Sequence, residues 1–124
     1  MQETKYKTFE MQFPFAKYEN CFFVISSYLY GGTALMIYGN CEDEDPDSPE
    51  PILDATVCVP SSEPLPPNLA YIKDYGENSG VQKILKKLGF IKPLSEFVQS
   101  GYVTIELCEL DLDRIREYGI EKKS

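Results

Sequence analysis

Residues 21–38 read CFFVISSYLYGGTALMIY, and their reading decides the fold. β-Branched and aromatic side chains fill both halves, with Gly31 and Gly32 between them. Such side chains suit a pleated surface, and glycine takes the positive φ that tight hairpin turns require. The segment therefore reads as a β-hairpin, with strands at 21–30 and 33–38. A hairpin alone is marginal in water, so further strands are needed beside it. Upstream, residues 4–13 (TKYKTFEMQF) alternate large apolar and polar groups near the period of two of a half-buried strand. Downstream, residues 52–59 (ILDATVCV) read as a fourth strand that pairs with the hairpin and is ended by Pro60, giving an antiparallel meander.

Beyond this meander the pattern changes. Pro64, Pro66 and Pro67 fix φ and remove donors, so 61–68 is an extended connector. Residues 69–75 form a short strand or turn. Val81, Ile84, Leu85 and Leu88 share the i, i+3, i+4, i+7 spacing of one apolar helix face, with Lys83, Lys86 and Lys87 on the other sides. Ser79 or Asn78 caps that helix and Gly89 ends it. A loop with Pro93 and Ser100-Gly101 precedes a strand at 102–107, and 111–118 closes as a short helix followed by Gly119. The class is α+β: an antiparallel meander of about five strands with two helices packed in the C-terminal half. At 124 residues the chain fits a single domain, 1–124, carrying an acidic, proline-rich loop at 42–51.

Charge is laid out unevenly. The net charge is −8, yet residues 42–77 hold ten acids and one base, while residues 78–92 hold four lysines and no acid. The run Glu42, Asp43, Glu44, Asp45, Asp47, Glu50 is the densest part. One reading is a solvated loop, since like charges repel and Pro46, Pro49 and Pro51 forbid regular structure. A second is an anionic surface that engages a basic groove in the manner of a phosphate backbone. A third is calcium: Asp43, Asp45, Asp47 and Asp54 fall at positions 1, 3, 5 and 12 of an EF-hand-like loop. Ser48 stands where that loop needs its turn glycine, and strands flank it instead of helices. Direct nucleic-acid binding is disfavoured by the negative charge, the lysines at 83, 86, 87 and 92 covering little more than one helix face.

No catalytic constellation emerges. The chain has no His, so hydrolase triads lose their usual base, and Gly31-Gly32 lacks the following Lys-Ser/Thr of a phosphate loop. Cys21, Cys41, Cys58 and Cys108 are widely spaced, with no Cys-x-x-Cys pair, and read as free thiols. No catalytic residue, metal ligand or cofactor is assigned. No apolar run reaches the roughly 20 residues of a membrane span, and the start lacks a signal-peptide pattern, so a cytoplasmic location is expected. In the segment 68–80 (NLAYIKDYGENSG), Asn, Asp, Ser and Gly are turn and cap formers. Alternatively Tyr71, Tyr75 and Asn78 are exposed anchors, tyrosine being enriched at interface hot spots.

The run 70–81 (AYIKDYGENSGV), with Leu85, Gly89-Phe90-Ile91, the segment 100–103 (SGYV) and the strand 54–60 (DATVCVP), resembles a family of small uncharacterised proteins encoded on mobile elements of gut bacteria. The acidic run departs from the short polar turn of those relatives. The resemblance carries no activity, but it implies a context of phages and plasmids, whose small acidic proteins include inhibitors of host nucleases. The expectation is a non-catalytic, protein-binding inhibitor of anti-CRISPR or anti-restriction type. Its site would be Glu42, Asp43, Glu44, Asp45, Asp47, Glu50, Tyr71, Tyr75 and Asn78, meeting a basic surface on a CRISPR or restriction nuclease. The rivals are a homodimer through an exposed strand edge at 4–13 and a calcium-binding protein.

Overall fold

The computed structural model describes residues 6–28, 32–41, 49–57 and 65–121. Its strands fall into two sheets where the sequence predicts one meander of about five strands. The first sheet runs β1 (Phe9–Gln12), β2 (Lys17–Ser27), β3 (Thr33–Cys41) and β4 (Glu50–Asp54), all antiparallel, with β9 (Gly119–Glu121) parallel to β2. β3 pairs along one flank of β2, while β1 and β9 divide the other, β1 against residues 17–21 and β9 against residues 23–25. The second sheet has the order β5 (Thr56–Val57), β6 (Leu69–Ile72), β8 (Val103–Leu110) and β7 (Ile91–Ser100).

The expected strand at 52–59 is divided between the sheets at Ala55. Its N–H donates to the Leu35 carbonyl of β3 at 2.8 Å, and its carbonyl accepts at 2.9 Å from the N–H of Lys73, the residue that follows β6. Ala55 is fully buried. Its small side chain lets the backbone change sheets inside the core, a requirement invisible to hydrophobic periodicity. Thr56 secures the corner: its Oγ1 accepts from the Leu35 N–H at 3.0 Å and lies 2.8 Å from the Tyr28 hydroxyl. Cys58, Val59 and the turn residues 29–31 lie outside the described residues.

Each helix is inserted between two strands. α1 (Val81–Lys87) joins β6 to β7, and α2 (Leu112–Glu117) joins β8 to β9. α1 buries Val81 and Leu85, as the spacing predicts, but neither Ser79 nor Asn78 caps it. The N-cap is Gly80 at φ +102, and the Asp74 carboxylate accepts from the Gly80 and Gln82 N–H groups at 2.7 and 3.3 Å. A 3₁₀ turn, Gly76–Asn78, stands where the cap was expected, so an upstream acid reaches over it. α2 is capped as a short helix should be, with Asp111 accepting from the Arg114 N–H at 3.1 Å.

Pro93 lies within β7 and not in a loop. β7 is the end strand of its sheet, where a residue without N–H is tolerated, and the register shifts between Pro93 and Glu96, with Ser95 at φ +60. Ser100 pairs with Val103, so the turn is Gly101-Tyr102, with Gly101 at φ +64, and Tyr102 is fully exposed. One core draws on both sheets and both helices, including Phe23, Ile37, Ala70, Leu85, Cys108 and Ile115. At its centre Phe90 stands edge-on to Phe23 and Tyr118, at ring-centroid distances of 4.9 and 5.1 Å. Such arrangements match the positive edge of one ring to the negative face of the next.

Candidate binding surface

Side chains alternate across a strand, so β2 and β3 present two faces. The inner one carries Cys21, Phe23, Ile25, Leu35 and Ile37, all buried in the core. The outer one carries Phe22, Val24 and Ser26 opposite Tyr38, Met36 and Ala34. Asp54 of β4 pairs with Met36 and Ile120 of β9 with Val24, so the row Ile120–Val24–Met36–Asp54 crosses four strands. At the usual spacing of about 4.8 Å this row is about 14 Å wide. In the neighbouring row Phe22 stacks on Tyr38 at 5.7 Å, and Tyr6 lies over Phe22 at 4.7 Å.

An antiparallel sheet that buries one face commonly turns polar side chains to water on the other. Here the second face is apolar and ends in an acid. Phe22 is buried, Val24, Met36 and Tyr38 are half-buried, and Ile120 is exposed. None of these five belongs to the core cluster. At one end of the face is a hollow of about 310 Å³ whose lining includes Ser26, Met36, Asp54, Lys73 and Tyr75. At the other end a hollow of about 390 Å³ is lined by Tyr6, Lys7, Phe22 and Pro49 among others. Lys73 places its ammonium 5.8 Å from the centroid of the Tyr75 ring.

Of the expected site, Glu50, Tyr71, Tyr75 and Asn78 are described, and these four do not form one patch. Glu42, Asp43, Glu44, Asp45 and Asp47 lie outside the described residues; Cys41 at the end of β3 and Glu50 at the start of β4 flank them, both exposed. Tyr75 lines the hollow beside Asp54, at the far end of β4 from Glu50, about 13 Å away at strand rise. Tyr71 is half-buried in β6, paired with Leu107, and its alternation with Ala70 and Ile72 turns it away from the core. Asn78 is no exposed anchor: it is buried and donates from Nδ2 to the Asp54 carbonyl at 2.6 Å, bracing the 3₁₀ turn against β4. Of the four acids in the calcium reading, Asp54 alone is described, and it is exposed.

Two thiols are buried. Burial pushes both Cys21 and Cys108 up to about 12, with neighbouring carboxylates adding to the rise, so each stays protonated at neutral pH. Such thiols pack as small apolar groups and are poor nucleophiles. Among the described residues no three His, Cys, Asp or Glu side chains come together as metal ligands would. No helix among them is long and apolar enough to cross a membrane.

The outer face has a signal in the sequence. Residues 21–25 and 34–38 are apolar without interruption, so any strand they form is apolar on both sides. No family model, curated protein or solved structure matches the chain.

Proposed function

We propose that this chain is a non-catalytic, protein-binding domain of the cytoplasm that engages a basic surface on a nucleic-acid enzyme. Nuclease inhibition of the anti-restriction or anti-CRISPR type, in a protein carried by a mobile element, is the form this takes. The observation that carries the proposal is the charge layout: ten of the chain's 20 acids lie in residues 42–77, densest between the adjacent strands β3 and β4. An acidic connection between paired strands supplies the dense negative potential that steers association with a cationic groove. The half-buried Tyr71 and Tyr75 add amphipathic contact area.

The test is capture of partners by the tagged protein from a host lysate at low and high salt, with mass-spectrometric identification. Recovery of one nucleic-acid enzyme, lost at high salt, is the expected result. Recovery of the protein alone at either salt would transfer support to self-assembly through the edge of β1, the end strand of the first sheet.

A further inference from the structure

Among the described residues three surfaces stand out: the open groove beside α2, the exposed Phe97 and Tyr102 on the β7–β8 hairpin, and the outer face of the first sheet. The groove mixes Lys92, Glu109, Asp111, Asp113 and Arg116 without a buried polar group to fix a ligand. The hairpin carries two isolated rings on an end strand already interrupted by Pro93 and the Ser95 irregularity. Among the described residues it is the outer face that combines continuous apolar rows, a hollow at each end, each with one lysine in its lining, and the Asp54 carboxylate at its margin.

From this face we infer an occupant: a basic, amphipathic segment of a partner protein, lying across the row Ile120–Val24–Met36 with a cation on Asp54. The inference rests on the protein-binding reading above and assigns its apolar centre. Interfaces draw affinity from a desolvated apolar and aromatic middle, while the charged rim governs approach and register. Phe22, Tyr38, Met36 and Val24 supply such a middle, and Asp54, opposite Met36, is exposed at the β4 side. Charge also selects the occupant. Two copies stacked through this face would each bring a net charge of −8, and an anionic membrane would repel the same charge, whereas a cationic segment is drawn in. An amphipathic helix is about 10–12 Å across with its side chains, comparable with the width of the row.

The probe is a pair of synthetic peptides of equal length and charge, one patterned with lysine and leucine as an amphipathic helix, the other with lysine and serine. Binding to the full chain is read by fluorescence anisotropy. The leucine peptide is expected to bind about tenfold or more tightly, the gain from desolvating a few leucine side chains. The double variant Val24→Thr/Met36→Thr, β-branched and strand-compatible, should remove that advantage and leave the serine peptide unaffected. Should the double variant fail to fold by circular dichroism, Ile120→Ser at the exposed end of the row serves instead, with a smaller loss. An advantage that persists in a folded variant overturns the inference, because the leucines then bind elsewhere. Equal binding of the two peptides overturns it too, while leaving the electrostatic reading standing. If neither peptide binds, both readings fall together.

Discussion

At the scale of single residues, the side chains that matter most to the architecture are polar or small. Asn78 ties the 3₁₀ turn to β4 through one buried hydrogen bond to the Asp54 carbonyl. Removing a buried donor leaves its acceptor unsatisfied, at a cost of about 1–3 kcal/mol. Asn78→Ala should therefore lower the urea midpoint by a corresponding amount without changing the slope, and an unchanged midpoint would show that water replaces the bond. The buried thiols give a second prediction with a definite sign. Cys21 and Cys108 are pushed from 9.0 up to about 12, so the folded state resists their ionisation more than the unfolded chain does. Their contribution to stability is complete below pH 9 and is lost as pH rises towards about 12. Urea unfolding across that window should show a falling stability whose slope is reduced in Cys21→Ala/Cys108→Ala. Iodoacetamide at neutral pH should modify the peptide bearing the exposed Cys41 and spare those bearing Cys21 and Cys108.

At the scale of elements, β9 shows how a strand of three residues finds its place. Gly119 pairs in parallel with Phe23, and a Cβ there would run into the Phe23 backbone carbonyl and lie 2.8 Å from the Phe23 Cβ. The Phe23 N–H also donates to the Tyr118 carbonyl at 2.9 Å. Gly119→Ala should cost about 1–3 kcal/mol by overpacking and speed hydrogen exchange at the Phe23 amide. Exchange at the wild-type rate would mean that β9 is dispensable to β2. The sequence shows Gly119 only as a helix terminator, because nothing local signals a parallel partner almost 100 positions away. The same limit explains the other differences. The hairpin strands and the apolar face of α1 depend on neighbours within a few residues, and these are legible. The split at Ala55 and the strand through Pro93 depend on contacts distant along the chain or on a position at a sheet edge, and the cap from Asp74 reaches over an intervening 3₁₀ turn, further than the usual cap spacing. Of the candidate surface, charge is legible as composition. The apolar outer face requires knowing which side of the hairpin the core covers, and periodicity does not specify that when both sides are apolar.

At the scale of the whole molecule, charge and apolar area do different things, and the difference can be measured. Net charge of −8 acts over the Debye length, about 8 Å at physiological salt, so it governs encounter and its salt dependence. The outer sheet face acts only on contact, so it governs residence. Neutralising Asp43, Glu44, Asp45 and Asp47 together to Asn and Gln should slow association with a captured enzyme and flatten its dependence on salt, ending capture at physiological salt. Dissociation of whatever complex still forms at low salt should change little, because the apolar contact is untouched. The Val24→Thr/Met36→Thr variant should show the converse: near-normal association and salt dependence, with faster dissociation. Stopped-flow or biosensor kinetics on the two variants separate these terms. A quadruple variant that associates at the wild-type rate would remove the acidic connection from the mechanism and return its charge to solvation alone.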